Sequence, residues 1–275
     1  MDELKQGSNP LNDLEVDPNN PSERWAILIN YDDTKYGDDD DDDNLTYYHL
    51  LKRNGFDDEH IILFLEKHDD ASIPSRLLSP FFEWDFIRDV GKDLFKDYKV
   101  EVDYLNDEVN KENVLACLRN LASDENDIVL ISVSAHGSKE GYFAIDPHTG
   151  YAEDTDLYGR EFNEAIGQIK YGRLIYVQGS CHAEGFIRDI ANGPYQLDNL
   201  LALGETSIGE PGGGAYFAPI LFSLLNYKPL FEAYEWSLEY VRRGHLNHPV
   251  LYYYGQDDSW IYWFNPIVYL PKKKE

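Results

Sequence analysis

Apolar residues along this chain form two alternating patterns. Short, continuous apolar runs are typical of strands that are buried on both faces of a parallel sheet. These runs lie at 25–29, 61–65, 128–134, 174–177, 200–203 and 249–254. The last run begins with Pro249, which favours an edge position. Between the runs, apolar residues recur at helical spacing, which predicts helices over 44–54, 109–122, 159–169, from 183 to 190, 215–226 and 229–243.

Strands that alternate with helices predict an α/β fold with a mainly parallel central sheet and helices on both faces. The middle of the chain contains no linker rich in Gly, Ser or Pro, so residues 24–275 are predicted to form a single domain. Residues 1–23 are polar and contain three X-Pro steps, which predicts an irregular N-terminal arm. The stretch 66–100 carries Pro74 and Pro80 and is predicted to be an irregular insertion with short helices.

A histidine and a cysteine follow two of the predicted parallel strands. His136 comes two residues after the run 128–134, and Cys181 comes shortly after the run 174–177. Functional groups of open α/β sheets gather at the carboxyl ends of the strands. A His and a Cys at two such ends can act as base and nucleophile, which indicates a cysteine peptidase or a related acyl transferase.

Several blocks of the sequence are similar to one known family. They are 53–62, 102–115, Ala135-His136-Gly137-Ser138 followed by Gly141, and 173–181. In this order and spacing the chain resembles, over about 25–255, the legumain family (clan CD) of cysteine peptidases, which includes the catalytic subunit of the GPI-anchor transamidase. The resemblance implies a caspase-like three-layer sandwich, with His136 and Cys181 as the catalytic dyad and no required cofactor.

The chemistry of such a dyad needs a thiolate and donors for an oxyanion. His136 and the N-terminus of a helix after Cys181 would both favour the thiolate. The backbone N–H groups of Gly137 and Cys181 are the expected oxyanion donors, since Gly137 has no side chain to prevent close approach. His182 is expected to lie away from the sulfur, because neighbouring residues on a helix point about 100° apart.

The resemblance is weaker around the substrate pocket. When Trp25 is aligned with the first strand of animal legumains, the position of the Asn that orients their catalytic His falls on Gly37. The Arg and His of their Asn-binding pocket fall on Asp39 and Asp40. A pocket with these carboxylates, together with Glu205 and Ser207 after the next strand, would favour Arg or Lys at P1. The alternative is that the six consecutive Asp residues from Asp38 to Asp43 form a solvated loop.

The same acidic run offers a second interpretation. Asp38, Asp41 and Asp43 supply hard oxygen ligands of the kind that calcium prefers. The run lacks the spacing of an EF-hand loop, with its Gly at the sixth position and Glu at the twelfth. Calcium binding and recognition of a basic P1 residue therefore remain two hypotheses for these carboxylates.

The amino-acid composition limits the kinds of partner that the chain is expected to bind. The formal net charge of −27 argues against nucleic acid and anionic membranes as partners. It fits a salt-tolerant protein, a calcium binder, an enzyme that attracts cationic substrates, or solubility alone. The partner expected from the dyad is a peptide or protein substrate. No apolar run approaches the length of a membrane span, and the first residues lack the pattern of a signal peptide. With only two cysteines, of which Cys117 lies on an apolar helical face, we expect no disulfide. This slightly favours the cytoplasm, whereas relatives of the family work in secretory and acidic compartments, so localisation stays open.

Three functions therefore compete at the level of sequence. The first is a cysteine endopeptidase with a preference for Arg or Lys at P1. The second is an asparaginyl-type peptidase, or a transpeptidase or transamidase, that uses the same dyad and acyl-enzyme. The third is a non-catalytic acidic binding module of the same fold, against which the presence of His136, Gly137 and Cys181 counts.

Overall fold

A seven-stranded sheet forms the centre of the part of the chain that the structure describes. The computed structural model describes residues 23–30, 47–48, 51–52, 56–65, 103–105, 108–145, 156–210, 231–232, 234–235, 238, 248 and 250–255. The strands of the sheet are β1 (Arg24–Asn30), β2 (Ile61–Leu65), β3 (Tyr104–Leu105), β4 (Ile128–Ser134), β7 (Arg173–Gly179), β8 (Leu200–Gly204) and β9 (Val250–Tyr254). A separate antiparallel pair consists of β5 (Tyr142–Phe143) and β6 (Leu157–Tyr158).

The strand order is β3-β2-β1-β4-β7-β8-β9. Neighbouring strands are parallel except for β8 and β9, which are antiparallel. The prediction of an α/β fold with a mainly parallel sheet is confirmed, and the arrangement is consistent with a caspase-like fold. Among the described strands, β9 lies at the end of the sheet, as expected from Pro249.

Three described helices pack together beside the sheet. They are α1 (Lys111–Arg119), α2 (Gly159–Ile166) and α3 (Ala183–Ala191), and α2 contacts both of the others. Tyr176 of β7 meets Phe162 of α2 and Phe186 of α3 at ring-centroid distances of 5.3 and 5.8 Å. Residues on the other face of the sheet, such as Leu130 and Ile175, are also fully buried, as expected for central parallel strands.

The helix boundaries follow from local chemistry. The helix predicted over 109–122 begins only at Lys111, because the extended Asn110 accepts a hydrogen bond of 2.9 Å from the Asn113 N–H as an N-cap. The helix predicted over 159–169 ends at Ile166, just before Gly167. The short strands β3 and β6 were not predicted, since two residues are too few to form an apolar run.

Several predicted segments lie partly or wholly outside the described residues. The N-terminal arm (except Glu23), the acidic run, the insertion 66–100 and the helix 215–226 are among them. Residues 47–48 and 51–52 of the helix predicted over 44–54 are helical, as are 231–232, 234–235 and 238 of the helix predicted over 229–243. In the described part of the chain, no helix is long and apolar enough to span a bilayer.

Candidate active site

Two neighbouring strands carry the predicted dyad to the same edge of the sheet. Ser134, the last residue of β4, is the register partner of Gly179, the last residue of β7. The ladder continues beyond both strands, since the Ala135 N–H donates to the Gly179 carbonyl at 3.1 Å. His136 and Cys181 therefore follow neighbouring strands at the same edge of the sheet. Both side chains are half-buried, so they remain accessible from solvent.

Gly137 lies directly against the backbone that carries the cysteine. A Cβ atom at this position would lie 2.5 Å from Ser180 Oγ and 2.9 Å from Ser180 Cβ, and still closer to the Cys181 carbonyl oxygen. Backbone atoms cannot move aside as a flexible side chain can, so only glycine fits here. The segment after His136 therefore touches the segment that ends in Cys181.

The backbone N–H of Gly137 points away from the neighbouring hairpin. Gly137 and Phe143 form an antiparallel bridge. The flanking bonds run from Ala144 N–H to the His136 carbonyl at 2.9 Å and from Ser138 N–H to the Tyr142 carbonyl at 3.0 Å. This is a non-hydrogen-bonded pair, in which the central N–H groups face outward. Among the described residues, the Gly137 N–H has no hydrogen-bond acceptor, as a donor for a substrate oxyanion requires.

The residue after the cysteine adopts an unexpected conformation. His182 is not helical but left-handed, with φ 57° and ψ 26°, and α3 begins one residue later. Its backbone N–H donates to the Glu210 carbonyl at 3.0 Å, and its Nδ1 accepts from the Gly209 N–H at 3.1 Å. His182 was expected to be a helical residue that points away from the sulfur. Its backbone is instead left-handed, and its contacts are with the loop after β8.

The ring of His182 is suited to this acceptor role. Burial and the nearby charge of Lys139 lower the pKa of His182, and Glu140 acts in the opposite direction. At neutral pH the ring is therefore uncharged, and Nδ1 keeps the lone pair that the Gly209 N–H needs.

A series of buried side chains forms hydrogen bonds that lead to the backbone of Cys181. Tyr176 Oη donates to Gln178 Oε1 at 2.8 Å, and Gln178 Nε2 donates to Ser180 Oγ at 2.7 Å. Ser180 Oγ then donates to the Cys181 carbonyl at 3.1 Å. Gln178 is completely buried, so these bonds form in a medium of low polarity, where they are strengthened. Gln178 was not predicted as a site residue, although a lone polar residue directly after the four apolar residues 174–177 was a usable signal.

The predicted pocket residues Glu205 and Ser207 follow β8, the strand next to β7. Glu205 is only 2% exposed, and its backbone N–H donates to the Gln178 carbonyl at 3.0 Å. Ser207 donates from Oγ to the His248 carbonyl and from its N–H to Glu210 Oε2, each at 3.2 Å. These residues lie next to the strand that carries Cys181, and their role in the pocket stays a prediction.

The other predicted pocket and calcium residues, Asp38 to Asp43, lie outside the described residues, as does Gly37. Within the described ranges, no group of three or more His, Cys, Asp or Glu side chains is placed to hold a metal ion. Calcium binding by the acidic run therefore stays a prediction.

The second cysteine behaves as the sequence predicts. Cys117 lies on α1, is 9% exposed and belongs to the hydrophobic core. Burial, and to a lesser degree the charge of Asp103, raises the pKa of its thiol to about 12. Cys117 is therefore protonated and shielded at neutral pH, and neither cysteine is part of a disulfide.

With this geometry in place, the chain can be compared with known proteins. Residues 24–198 match the model of the peptidase C13 family. The chain therefore belongs to the peptidase C13 family, whose members are cysteine-type peptidases. A search of curated proteins finds no match to the chain. Among solved structures, the chain is similar to the protein GSU0716 from Geobacter sulfurreducens, with 14% identity, a TM-score of 0.49 and coverage of 86% of this chain and 95% of that chain.

Proposed function

We propose that the protein is a cysteine endopeptidase in which Cys181 is the nucleophile and His136 is the general acid and base. The observation that carries this proposal is the close approach of Gly137, the residue after His136, to Ser180 and the Cys181 carbonyl, at the carboxyl edge of the neighbouring strands β4 and β7. The membership in the peptidase C13 family supports the same assignment.

The proposed reaction runs through an acyl-enzyme. His136 takes the proton of the Cys181 thiol, and the thiolate attacks the carbonyl carbon of the scissile bond. The negative charge on the carbonyl oxygen is stabilised by the N–H groups of Gly137 and Cys181. His136 returns the proton to the departing amine as the C–N bond breaks. Water, deprotonated by His136, then hydrolyses the thioester and releases the acid product.

For the substrate, we propose a peptide or protein with Arg or Lys at P1. The support is the chemistry of the chain: a net charge of −27, and Glu205 placed after β8, beside the strand of the nucleophile. An acidic field attracts cationic substrates toward the cleft. A carboxylate in a pocket of low polarity binds a guanidinium through strong, charge-assisted hydrogen bonds.

The test is hydrolysis of a panel of fluorogenic peptides with Arg, Lys, Asn or Asp at P1, each measured with calcium and with a chelator. We expect cleavage after Arg or Lys by the intact chain and by the control variant Cys117→Ser. For Cys181→Ala and His136→Ala we expect kcat/KM to be lower by at least about 1,000-fold, because removal of a catalytic nucleophile or base has a large effect. Loss of activity and a lower melting temperature in the chelator would assign calcium to the acidic run.

The remaining outcomes separate the alternatives. Cleavage after Asn would keep the dyad and contradict the acidic pocket. Formation of a joined product with an added amine as the main product would assign a transamidase. If the intact chain cleaves no peptide and Cys181 reacts with iodoacetamide no faster than free cysteine, the endopeptidase proposal is wrong and a binding module remains.

A further inference from the structure

The helix that follows the nucleophile does not supply its own N-terminal cap. Its N-cap position is His182, whose side chain makes no capping hydrogen bond to α3. The first N–H groups of a helix have no partner within the helix, so buried ones need an acceptor from elsewhere. Ala183 is completely buried and Glu184 is 8% exposed, so their N–H groups cannot depend on bulk water.

Thr206, two residues beyond the end of β8, supplies these acceptors. The Ala183 N–H donates to Thr206 Oγ1 at 3.0 Å, and the Glu184 N–H donates to the Thr206 carbonyl at 3.0 Å. The Thr206 hydroxyl also donates to the Ser180 carbonyl at 3.0 Å. One buried hydroxyl thus joins the residue before Cys181 to the first residue of the helix after it.

A threonine hydroxyl is suited to this double contact. It has one O–H to donate and lone pairs to accept, so both bonds can form at once. Its branched Cβ restricts the side chain to few rotamers, and its complete burial fixes the direction of the hydroxyl further. Valine has the same shape but makes neither bond, whereas serine keeps both.

We propose that Thr206 is a positioning residue that holds the turn Ser180–Cys181–His182, and with it the cysteine sulfur, in register with His136 and the Gly137 N–H. This inference rests on the proposed peptidase function of the same site. Thr206 touches the backbone on both sides of Cys181 rather than the substrate. Its effect is therefore on the alignment of the thiolate with its base and with the oxyanion donors.

The experiment compares Thr206→Val with Thr206→Ser. Steady-state kinetics are measured with the best substrate of the P1 panel, and the rate of iodoacetamide alkylation of Cys181 is measured against pH. For Thr206→Val we expect kcat to fall about 10- to 100-fold, as misplacement of a reacting group does, while KM changes by less than about threefold. The alkylation of Cys181 should be slower than in the parent, since the sulfur is less well aligned with the base that takes its proton. Thr206→Ser should stay within about threefold of the parent in kcat.

Other results would overturn the proposal. If folded Thr206→Val keeps the kcat and the alkylation profile of the parent, Thr206 is merely structural. Should Thr206→Val fail to fold, hydrogen exchange of the parent decides instead: exchange of the Ala183 amide at the rate of an exposed amide contradicts the cap, and protection equal to that of core amides supports it. If the parent cleaves no peptide, the proposed function fails, whereas the alkylation profiles still decide whether Thr206 positions Cys181.

Discussion

At the scale of single residues, the site depends on how closely two backbones approach each other. Gly137 lies against Ser180 and the Cys181 carbonyl, where any side chain would overlap backbone atoms. The same residue directs its N–H away from the hairpin formed with Phe143. Its missing side chain therefore serves both the packing of the two strand ends and the proposed oxyanion site.

Gly137→Ala is predicted to impair the site more than the fold. The added methyl group must push the Ser180–Cys181 backbone away, so we expect kcat/KM to fall by about 100-fold and the free energy of unfolding by about 1–3 kcal/mol. The measurements are steady-state kinetics and urea unfolding.

Gly185→Ala in α3 is the matched control, because its Cβ would meet its nearest neighbours, Gly141 Cα and the Lys139 carbonyl oxygen, at an ordinary 3.7 Å. We expect that variant to keep full activity and to be about 0.5–1 kcal/mol more stable. Equal activity of the two variants would contradict the close approach at Gly137.

The sequence alone was enough to propose a site at His136, Gly137 and Cys181. Each follows an apolar run, and the ends of parallel strands meet at one edge of the sheet. Thr206 could not be assigned in this way. Its partners are carbonyl and N–H groups of residues up to 26 positions away, which come into contact only in the folded sheet. Gln178 bonds to the side chains of Tyr176 and Ser180, two residues away on either side.

At the scale of secondary structure elements, α3 is attached to the sheet edge through one carboxylate. Glu184 Oε1 accepts from Tyr252 Oη of β9 at 2.6 Å and from Arg188 at 2.5 Å, and Oε2 accepts from the Ile208 N–H at 2.9 Å. Burial by itself would raise the pKa of Glu184. The hydrogen bonds from Tyr252 and Ile208 and the charge of Arg188 outweigh burial, so the pKa is lowered.

The lowered pKa of Glu184 predicts a pH-dependent contribution to stability. A carboxyl group whose pKa is lower in the folded than in the unfolded state stabilises the fold at neutral pH, and this contribution is lost as the pH falls through the folded-state value. We therefore expect Glu184→Gln to lower the free energy of unfolding by about 2 kcal/mol at pH 7. The difference from the parent should shrink as the pH falls toward about 3.

Urea unfolding at a series of pH values measures this dependence. Glu164→Gln is the control, because Glu164 forms only a surface ion pair of 3.6 Å with Arg160, for which we expect at most about 0.5 kcal/mol. A difference between Glu184→Gln and the parent that stays constant from pH 7 to about 3 would contradict the proposed attachment.

The elements themselves were largely predictable, whereas their ends were not. The six apolar runs all correspond to strands of the sheet, and for the five parallel ones the reason is that burial on both faces requires continuous apolar sequence. The helix predicted over 109–122 begins later because Asn110 acts as a polar cap, whereas α3 begins at Ala183 as predicted. Such caps depend on backbone angles that a pattern of apolar positions does not encode.

At the scale of the whole molecule, we expect the net charge of −27 to affect both stability and the capture of the proposed cationic substrate. Like charges repel one another in the folded chain, and they attract a cationic peptide before it reaches the cleft. Salt weakens both effects, since the screening length falls from about 30 Å at 0.01 M to about 8 Å at 0.15 M ionic strength.

We therefore predict opposite effects of salt on stability and on activity. Between about 0.01 and 0.3 M sodium chloride, the melting temperature should rise, because self-repulsion is screened. Over the same range, kcat/KM for a peptide with Arg at P1 should fall by at least about threefold, whereas that for a peptide with an uncharged P1 residue should change little. An equal fall for both peptides would contradict electrostatic capture of the substrate.

Covalent trapping of the proposed nucleophile tests most directly whether Cys181 and His136 form the catalytic dyad. The chain is incubated with a peptidyl acyloxymethyl ketone that carries Arg at P1, and the adduct is located by peptide mass spectrometry. We expect one adduct per chain, on Cys181 and not on the buried Cys117. In His136→Ala this adduct should form at least about 100 times more slowly. Adducts on both cysteines, or a rate that does not depend on His136, would contradict the assignment of Cys181 and His136 as the catalytic dyad.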